Sequence, residues 1–149
     1  ILPVIEYWND IHPMPAELVA DIHDRAKVQS FSKGEMLLVP GKTANYASFI
    51  MEGLVKSYYT READMAEVVT KFMYEKSIIT SIFSYFGRKP GNEYIVALED
   101  ALVASLHYDD MQQLLKDHPV FNTIIRVITC MTRILYDSFV SIASWTGQA

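Results

Sequence analysis

The sequence predicts a mainly β domain with flanking helices, in which short antiparallel strands close into a sandwich, roll or barrel. Between Met36 and Leu106, short apolar runs are separated by tight punctuation at Pro40-Gly41, Glu52-Gly53, Pro90-Gly91 and Glu99-Asp100. Strands set this close together, joined by turns, belong to closed or layered antiparallel architectures. Ahead of them Leu18, Val19, Ile22 and Ala26 recur at helical spacing, and behind them Val120 to Ile142 contains neither proline nor glycine.

The first stretch, residues 1–30, reads as helical. A short helix is expected over Val4 to Ile11, and Pro13 and Pro15 then break the chain. Pro15 sits well at the first turn of a second helix, because its fixed φ is already helical. Glu17, Asp21 and Asp24 fall between the apolar positions of that helix and make it amphipathic. The second stretch, residues 31–108, reads as strands over Met36 to Val39, Tyr46 to Met51, Leu54 to Tyr59, Glu67 to Tyr74, Tyr94 to Leu98 and Leu102 to Leu106. Gly53, between two β-type runs, predicts a hairpin whose turn needs a backbone conformation that a side chain resists. Ser77 to Gly87 is apolar and aromatic without strand alternation.

The third stretch, residues 109–149, is again helical. Asp109 is a suitable N-cap for Asp110 to Asp117, and His118-Pro119 ends that helix. Along the long helix that follows, Ile124, Ile128, Met131, Leu135 and Ile142 keep a seam of the coiled-coil kind. Ile125, Val127, Ile134, Phe139 and Val140 widen the apolar surface beyond one seam. That width predicts a homodimer through the C-terminal helix, with one face packed at home and the other on a second copy. All three stretches are read as one domain.

Composition narrows the function. With 149 residues, 50% of them hydrophobic and 21% charged, the chain is a globular domain rather than a disordered one. A net charge of −5 argues against direct binding to phosphate backbones. The apolar runs are broken by charges such as Arg126 and Arg133, so no membrane span is expected, and the opening residues lack a basic signal-peptide region. The single cysteine, Cys130, excludes an internal disulfide framework and fits a reducing, cytoplasmic setting. Its default role is a small buried hydrophobe, with a redox-sensing thiol beside Arg126 and Arg133 as the sharper alternative. The four histidines, His12, His23, His107 and His118, include no close His-X-His pair, so no metal site is expected. No glycine-rich phosphate loop, serine elbow or paired-carboxylate signature stands out, so the domain is not expected to be an enzyme.

One ordered series of motifs runs through most of the chain. Phe31-Ser32-Lys33-Gly34-Glu35 is followed by Met36 to Val39 and Pro40-Gly41, then by Phe49-Ile50-Met51-Glu52-Gly53-Leu54-Val55-Lys56, then by Ala97-Leu98-Glu99-Asp100 with Leu102 to Leu106, and by Tyr108 to Pro119. This series resembles the cyclic-nucleotide-binding domain of the Crp/Fnr superfamily of bacterial transcription regulators. Phe72-Met73-Tyr74-Glu75 and Ser84-Tyr85-Phe86 resemble a group of those regulators common in Bacteroidetes. The resemblance implies a double-stranded β-helix, a jelly-roll-like β-roll, with a long C-terminal dimerisation helix. It also implies an effector-binding sensor role. In the family a winged-helix DNA-binding domain follows the dimer helix. This chain stops at Ala149, so DNA contact is expected only through a domain not present in it. The alternatives are a stand-alone protein-interaction module of the same fold, or a cupin-like enzyme, which the histidine pattern disfavours.

The resemblance also locates a ligand loop. Family members that bind cyclic AMP carry phenylalanine-glycine-glutamate near its start and arginine-serine (or threonine)-alanine near its end. Here the start falls at Thr80-Ser81-Ile82 and the end at Gly91-Asn92-Glu93, so both charged contacts are missing. No cofactor is predicted, and cyclic AMP is not expected to bind in the family's usual way. The residues expected nearest a ligand are Ser81, Phe83, Ser84, Arg88, Asn92 and Glu93, with Tyr136 and Asp137 on the long helix. Arg88 and Lys89 are read as a solvated turn that could also reach an anion. Phe83, Tyr85, Phe86 and Tyr94 would fill the pocket or line it.

Overall fold

The computed structural model describes residues 1–131. Two helices come first, α1 (Leu2–Ile11) and α2 (Ala16–Arg25), with Pro15 in the cap position of α2. Five strands follow, β1 (Lys27–Phe31), β2 (Met36–Leu38), β3 (Tyr46–Glu52), β4 (Val55–Thr60) and β5 (Glu67–Met73). The short β6 (Ile78–Ile79) leads into a six-residue helix, α3 (Ile82–Gly87). The strands β7 (Tyr94–Ala97) and β8 (Ala101–His107) then precede α4 (Tyr108–Asp117), and residues 119–131 are helical again.

The strands form two four-stranded sheets, ordered β1-β8-β3-β6 and β2-β7-β4-β5, and every pairing is antiparallel. This is the double-stranded β-helix, a β-roll flanked by helices. Period-two alternation divides the first sheet's side chains between two environments. Ala47 and Phe49 on β3, with Ala104 and Leu106 on β8, face the helices and join Val4, Trp8, Leu18, Ile22 and Leu114 in one buried cluster. Trp8 meets the Phe49 ring edge-on at 5.6 Å between centroids, an arrangement aromatic quadrupoles favour. Ile50 and Val103, of opposite parity, point into the roll and pack with Val55, Met73, Ile79, Ile95 and Ala101.

Several expectations are corrected. Lys27 to Ser30 belong to β1, paired with β8 from Lys27↔Ser105 to Phe31↔Ala101, rather than to the helical stretch. Glu52-Gly53 is not a hairpin. β3 pairs with β6 and β8, whereas β4 pairs with β5 and β7, so the chain changes sheet at this corner. The reverse change occurs at Glu99-Asp100, and the two corners touch. Gly53 has φ +110°, and a Cβ there would lie 2.8 Å from Ala101 Cα and 2.8 Å from the Asp100 carbonyl oxygen. Only glycine meets both demands. The cap of α4 is His107, whose Nδ1 accepts from the Asp109 amide at 3.2 Å, rather than Asp109 itself.

The last described helix also departs from the expected seam. Ile124 and Ile128 are 0% and 1% exposed inside a single protomer, in the cluster between the helices and the first sheet. Their side chains are therefore claimed by this chain's own core and are not available to a second copy. Met131 is 48% exposed, and Leu135 and Ile142 lie outside the described residues. Cys130 is exposed rather than buried. No helix among the described residues is long and apolar enough to cross a membrane.

Candidate functional site

The expected ligand loop, Thr80 to Glu93, holds α3 against the mouth of the roll. Ser84, expected near a ligand, is fully buried and used structurally: its Oγ accepts from the Ala44 amide at 2.8 Å and donates to the Lys89 carbonyl at 2.7 Å. Gly91 lies so close that a Cβ there would stand 3.4 Å from Ser84 Cβ. Arg88 is exposed, as expected of a solvated turn, but its guanidinium is largely engaged within the protein. It ends α3 in the left-handed region at φ 52°, and its guanidinium donates to the carbonyls of Ala44 (3.0 Å) and Tyr85 (3.1 Å) and to Asn45 Oδ1 (2.7 Å). The same guanidinium lies 4.1 Å above the Tyr108 ring. Arg88 thus clamps α3 to the loop ahead of β3 and to α4.

The aromatics divide differently from the expectation. Tyr85 is buried in the helix-side cluster, but Phe83 and Phe86 are 84% and 60% exposed, so neither fills the pocket. Tyr94 stacks on Tyr58 at 4.8 Å. Burial pushes the Tyr85 hydroxyl well above its ordinary pKa, because the phenolate would have to form inside an apolar cluster. Asn92 is exposed. Glu93 turns toward the second sheet, where its Oε1 accepts from the Ser57 hydroxyl at 3.3 Å and lies 3.5 Å from Thr70 Oγ1. Nearby, Lys71 donates to the Thr80 carbonyl at 3.2 Å. Desolvation lowers its ammonium pKa, and the Glu93 charge opposes that shift. Tyr136 and Asp137 lie outside the described residues.

Sequence reasoning missed the cavity beside this loop. It measures about 340 Å³ and lies between the two sheets, walled by Phe31, Met36 to Val39, Ile79 and Ile95. Lys42, Asn45 and Tyr46 line it where the loop before β3 reaches the surface, and Thr80 and Ser81 line the side nearest α3. Ser81 is therefore brought to a cavity wall. The cavity's lining also includes Gln29, on a strand that the sequence reads as a helix end, and Ser48 on β3. Ser48 Oγ and Ser105 Oγ are 2.7 Å apart, and Ser105 Oγ donates to Gln29 Oε1 at 3.0 Å. The one legible signal is a serine at the inward position after Ala101 and Val103. Among the described residues no group of histidine, cysteine, aspartate and glutamate could hold a metal ion.

A family model for the cyclic nucleotide-binding domain matches residues 28–118. No curated protein sequence matches the chain. Among solved structures, the catabolite activator protein of Thermus thermophilus superposes with a TM-score of 0.68 at 15% identity, covering 90% of this chain and 62% of its own. A CooA mutant from Carboxydothermus hydrogenoformans gives 0.68 at 17% identity, covering 88% and 82%. The sensor domain of the transcriptional regulator DNR from Pseudomonas aeruginosa gives 0.68 at 11% identity, covering 92% and 89%. The chain thus spans less than two thirds of the Thermus protein's length.

Proposed function

The chain belongs to the cyclic nucleotide-binding domain family, and from that premise we propose that it is the effector-binding sensor domain of a Crp/Fnr-like transcription regulator that has given up the usual cyclic AMP contacts. The observation that carries this reading is the state of the ligand loop. Its end, Gly91-Asn92-Glu93, has no arginine, and the Glu93 carboxylate, seated on the Ser57 hydroxyl, stands where a phosphate would be approached. Its one described arginine, Arg88, directs three hydrogen bonds to Ala44, Tyr85 and Asn45. Its start, Thr80-Ser81-Ile82, carries neither the glycine nor the glutamate that the family has there. A buried phosphate needs cationic donors and is repelled by a carboxylate, so the loop is matched against the ligand it would normally hold.

The sensor acts by binding rather than by catalysis. It works in the cytoplasm as a homodimer through the helix that begins at Pro119, and reaches DNA only through a domain outside this chain. The tetrapeptide Phe72 to Glu75 supports a place in the group common in Bacteroidetes. The signal path runs through the loop before β3: Ala44 lines the cavity and also packs in the cluster that holds Phe121, Ile124 and Ile128. A ligand that prefers one placement of that loop would shift the helix, and only such a preference can do so. Calorimetry with cyclic AMP and cyclic GMP tests the reading. The expected result is no heat of binding with either nucleotide, and micromolar affinity for either would overturn it.

A further inference from the structure

The cavity's polar corner has a direction. A carboxamide oxygen can only accept, so the Ser105 hydroxyl hydrogen goes to Gln29 Oε1. With that hydrogen spent, Ser48 must be the donor in its 2.7 Å contact with Ser105. Two groups are left over. Ser48 Oγ keeps lone pairs with no donor, and Gln29 Nε2 keeps its N–H groups with no acceptor, among the described residues. Both side chains line the cavity. The remaining wall is apolar at Phe31, Met36 to Val39, Ile79 and Ile95 and polar toward Thr43, Asn45, Thr80 and Ser81, and the one charged side chain lining it, Lys42, is exposed at the surface. At about 340 Å³ the space lies within the range of small-molecule sites.

We propose that this cavity is the effector site and takes an uncharged small molecule with an apolar body and one head group that both donates and accepts a hydrogen bond, a primary carboxamide or a hydroxyl. The head would donate to Ser48 Oγ and accept from Gln29 Nε2. The body would lie against Phe31, Leu38 and Ile95. An anion is disfavoured because both serine hydrogens at the inner end are already committed. A buried carboxylate or phosphate would find one neutral amide donor there and no counter-charge. The proposal rests on reading the domain as an effector sensor, and it adds the ligand's chemistry.

Three probes with a common naphthalene body separate the possibilities in titrations followed by ligand-observed NMR: 1-naphthamide, 1-naphthoate and 1-methylnaphthalene. The amide is expected to bind saturably, the carboxylate at least tenfold more weakly, and the methyl compound several-fold more weakly. Gln29→Met should bring the amide down to the level of the methyl compound, and Leu38→Trp, which fills the cavity, should abolish binding of all three. If Leu38→Trp does not fold, the loss of amide preference in Gln29→Met is the deciding result. No binding of the amide, equal binding of the carboxylate, an unchanged preference in Gln29→Met, or undiminished binding to folded Leu38→Trp would each overturn the proposal. Micromolar cyclic AMP binding in a separate titration would instead sink the reading of the ligand loop, and the naphthamide titration would still test the cavity on its own.

Discussion

The inside of the roll has two halves built from the same strands. Toward the corners, Ile50 and Val103 sit opposite each other on β3 and β8, fully buried among Val55, Met73 and Ala101. Two residues along each strand, Ser48 stands opposite Ser105, and a cavity of about 340 Å³ opens. The ladder does not change across this boundary, because backbone hydrogen bonds are indifferent to which side chain points inward. What changes is the chemistry of one inward step. An isoleucine–valine pair gives way to two hydroxyls, which hold each other and Gln29 rather than filling space. The packed half supplies stability, and the hollow half is left for a guest.

The sharpest way to break this contrast is to truncate both halves alike. Ile50→Ala should cost about 3 kcal/mol, as a fully buried isoleucine leaves a cavity that a closed roll cannot collapse. Ser48→Ala should cost no more than ~1 kcal/mol, the net worth of one hydrogen bond. Urea midpoints measure both, and equal losses would remove the distinction. Next in size, Gly53→Ala should cost roughly 2 kcal/mol, since the left-handed backbone and the neighbouring Asp100–Ala101 corner both resist a Cβ. Its effect should appear in stability with little change in ligand affinity, because the corner lies at the packed end.

A smaller effect of opposite sign is expected at the cavity wall. The Thr80 hydroxyl is buried without a hydrogen-bond partner among the described residues. Thr80→Val should therefore raise stability by about 1 kcal/mol in thermal or urea unfolding. A loss there would mean that the hydroxyl has a role the geometry does not show.

The smallest effect concerns the helical layer outside the roll. Asp21 accepts from Arg25 Nε at 2.8 Å and meets His118 Nε2 at 2.9 Å, tying α2 to the end of α4. These hydrogen bonds, Arg25's first, hold its carboxyl below the ordinary 3.8. A lowered carboxylate pKa stabilises the fold above the unfolded value and stops doing so as pH falls through the folded one. Asp21→Asn should thus cost a little stability at neutral pH, and that cost should shrink as pH falls below the ordinary carboxylate range. A difference that persists undiminished in acid would show that the carboxylate's charge is not the cause. Solvent reaches this side chain, which keeps the effect small.

Much of this architecture is written locally. The alternation of Val68, Thr70 and Phe72, the run Met36 to Leu38 and the spacing of Leu18 and Ile22 each specify an element from within a few residues. Lys27 to Phe31 is not legible as a strand. Its exposed Val28 and polar Gln29 break the apolar alternation, and it becomes a strand by pairing with β8, far along the chain. The Gly53 turn is legible as a turn but not as a corner, because whether two strands pair with each other depends on what else each could pair with. Ser84 and Arg88 matter, as their place in the loop suggests, yet both hold the loop together rather than reach a ligand. That distinction is made by Ala44 and Asn45, some forty residues earlier.

By itself the sequence determined most of the strands and helices and their order, since each is a property of residue types at short range. Only the tertiary structure decided which strands share a sheet, that Ile124 and Ile128 belong to the home core, and that Gln29, Ser48 and Ser105 meet at one end of a hollow. Those are facts about residues far apart in the chain, 76 positions in the case of Gln29 and Ser105. The reason is physical. Local propensity acts through a residue's own dihedrals and near neighbours, whereas a cavity is defined by side chains that become neighbours only when the two sheets close on each other.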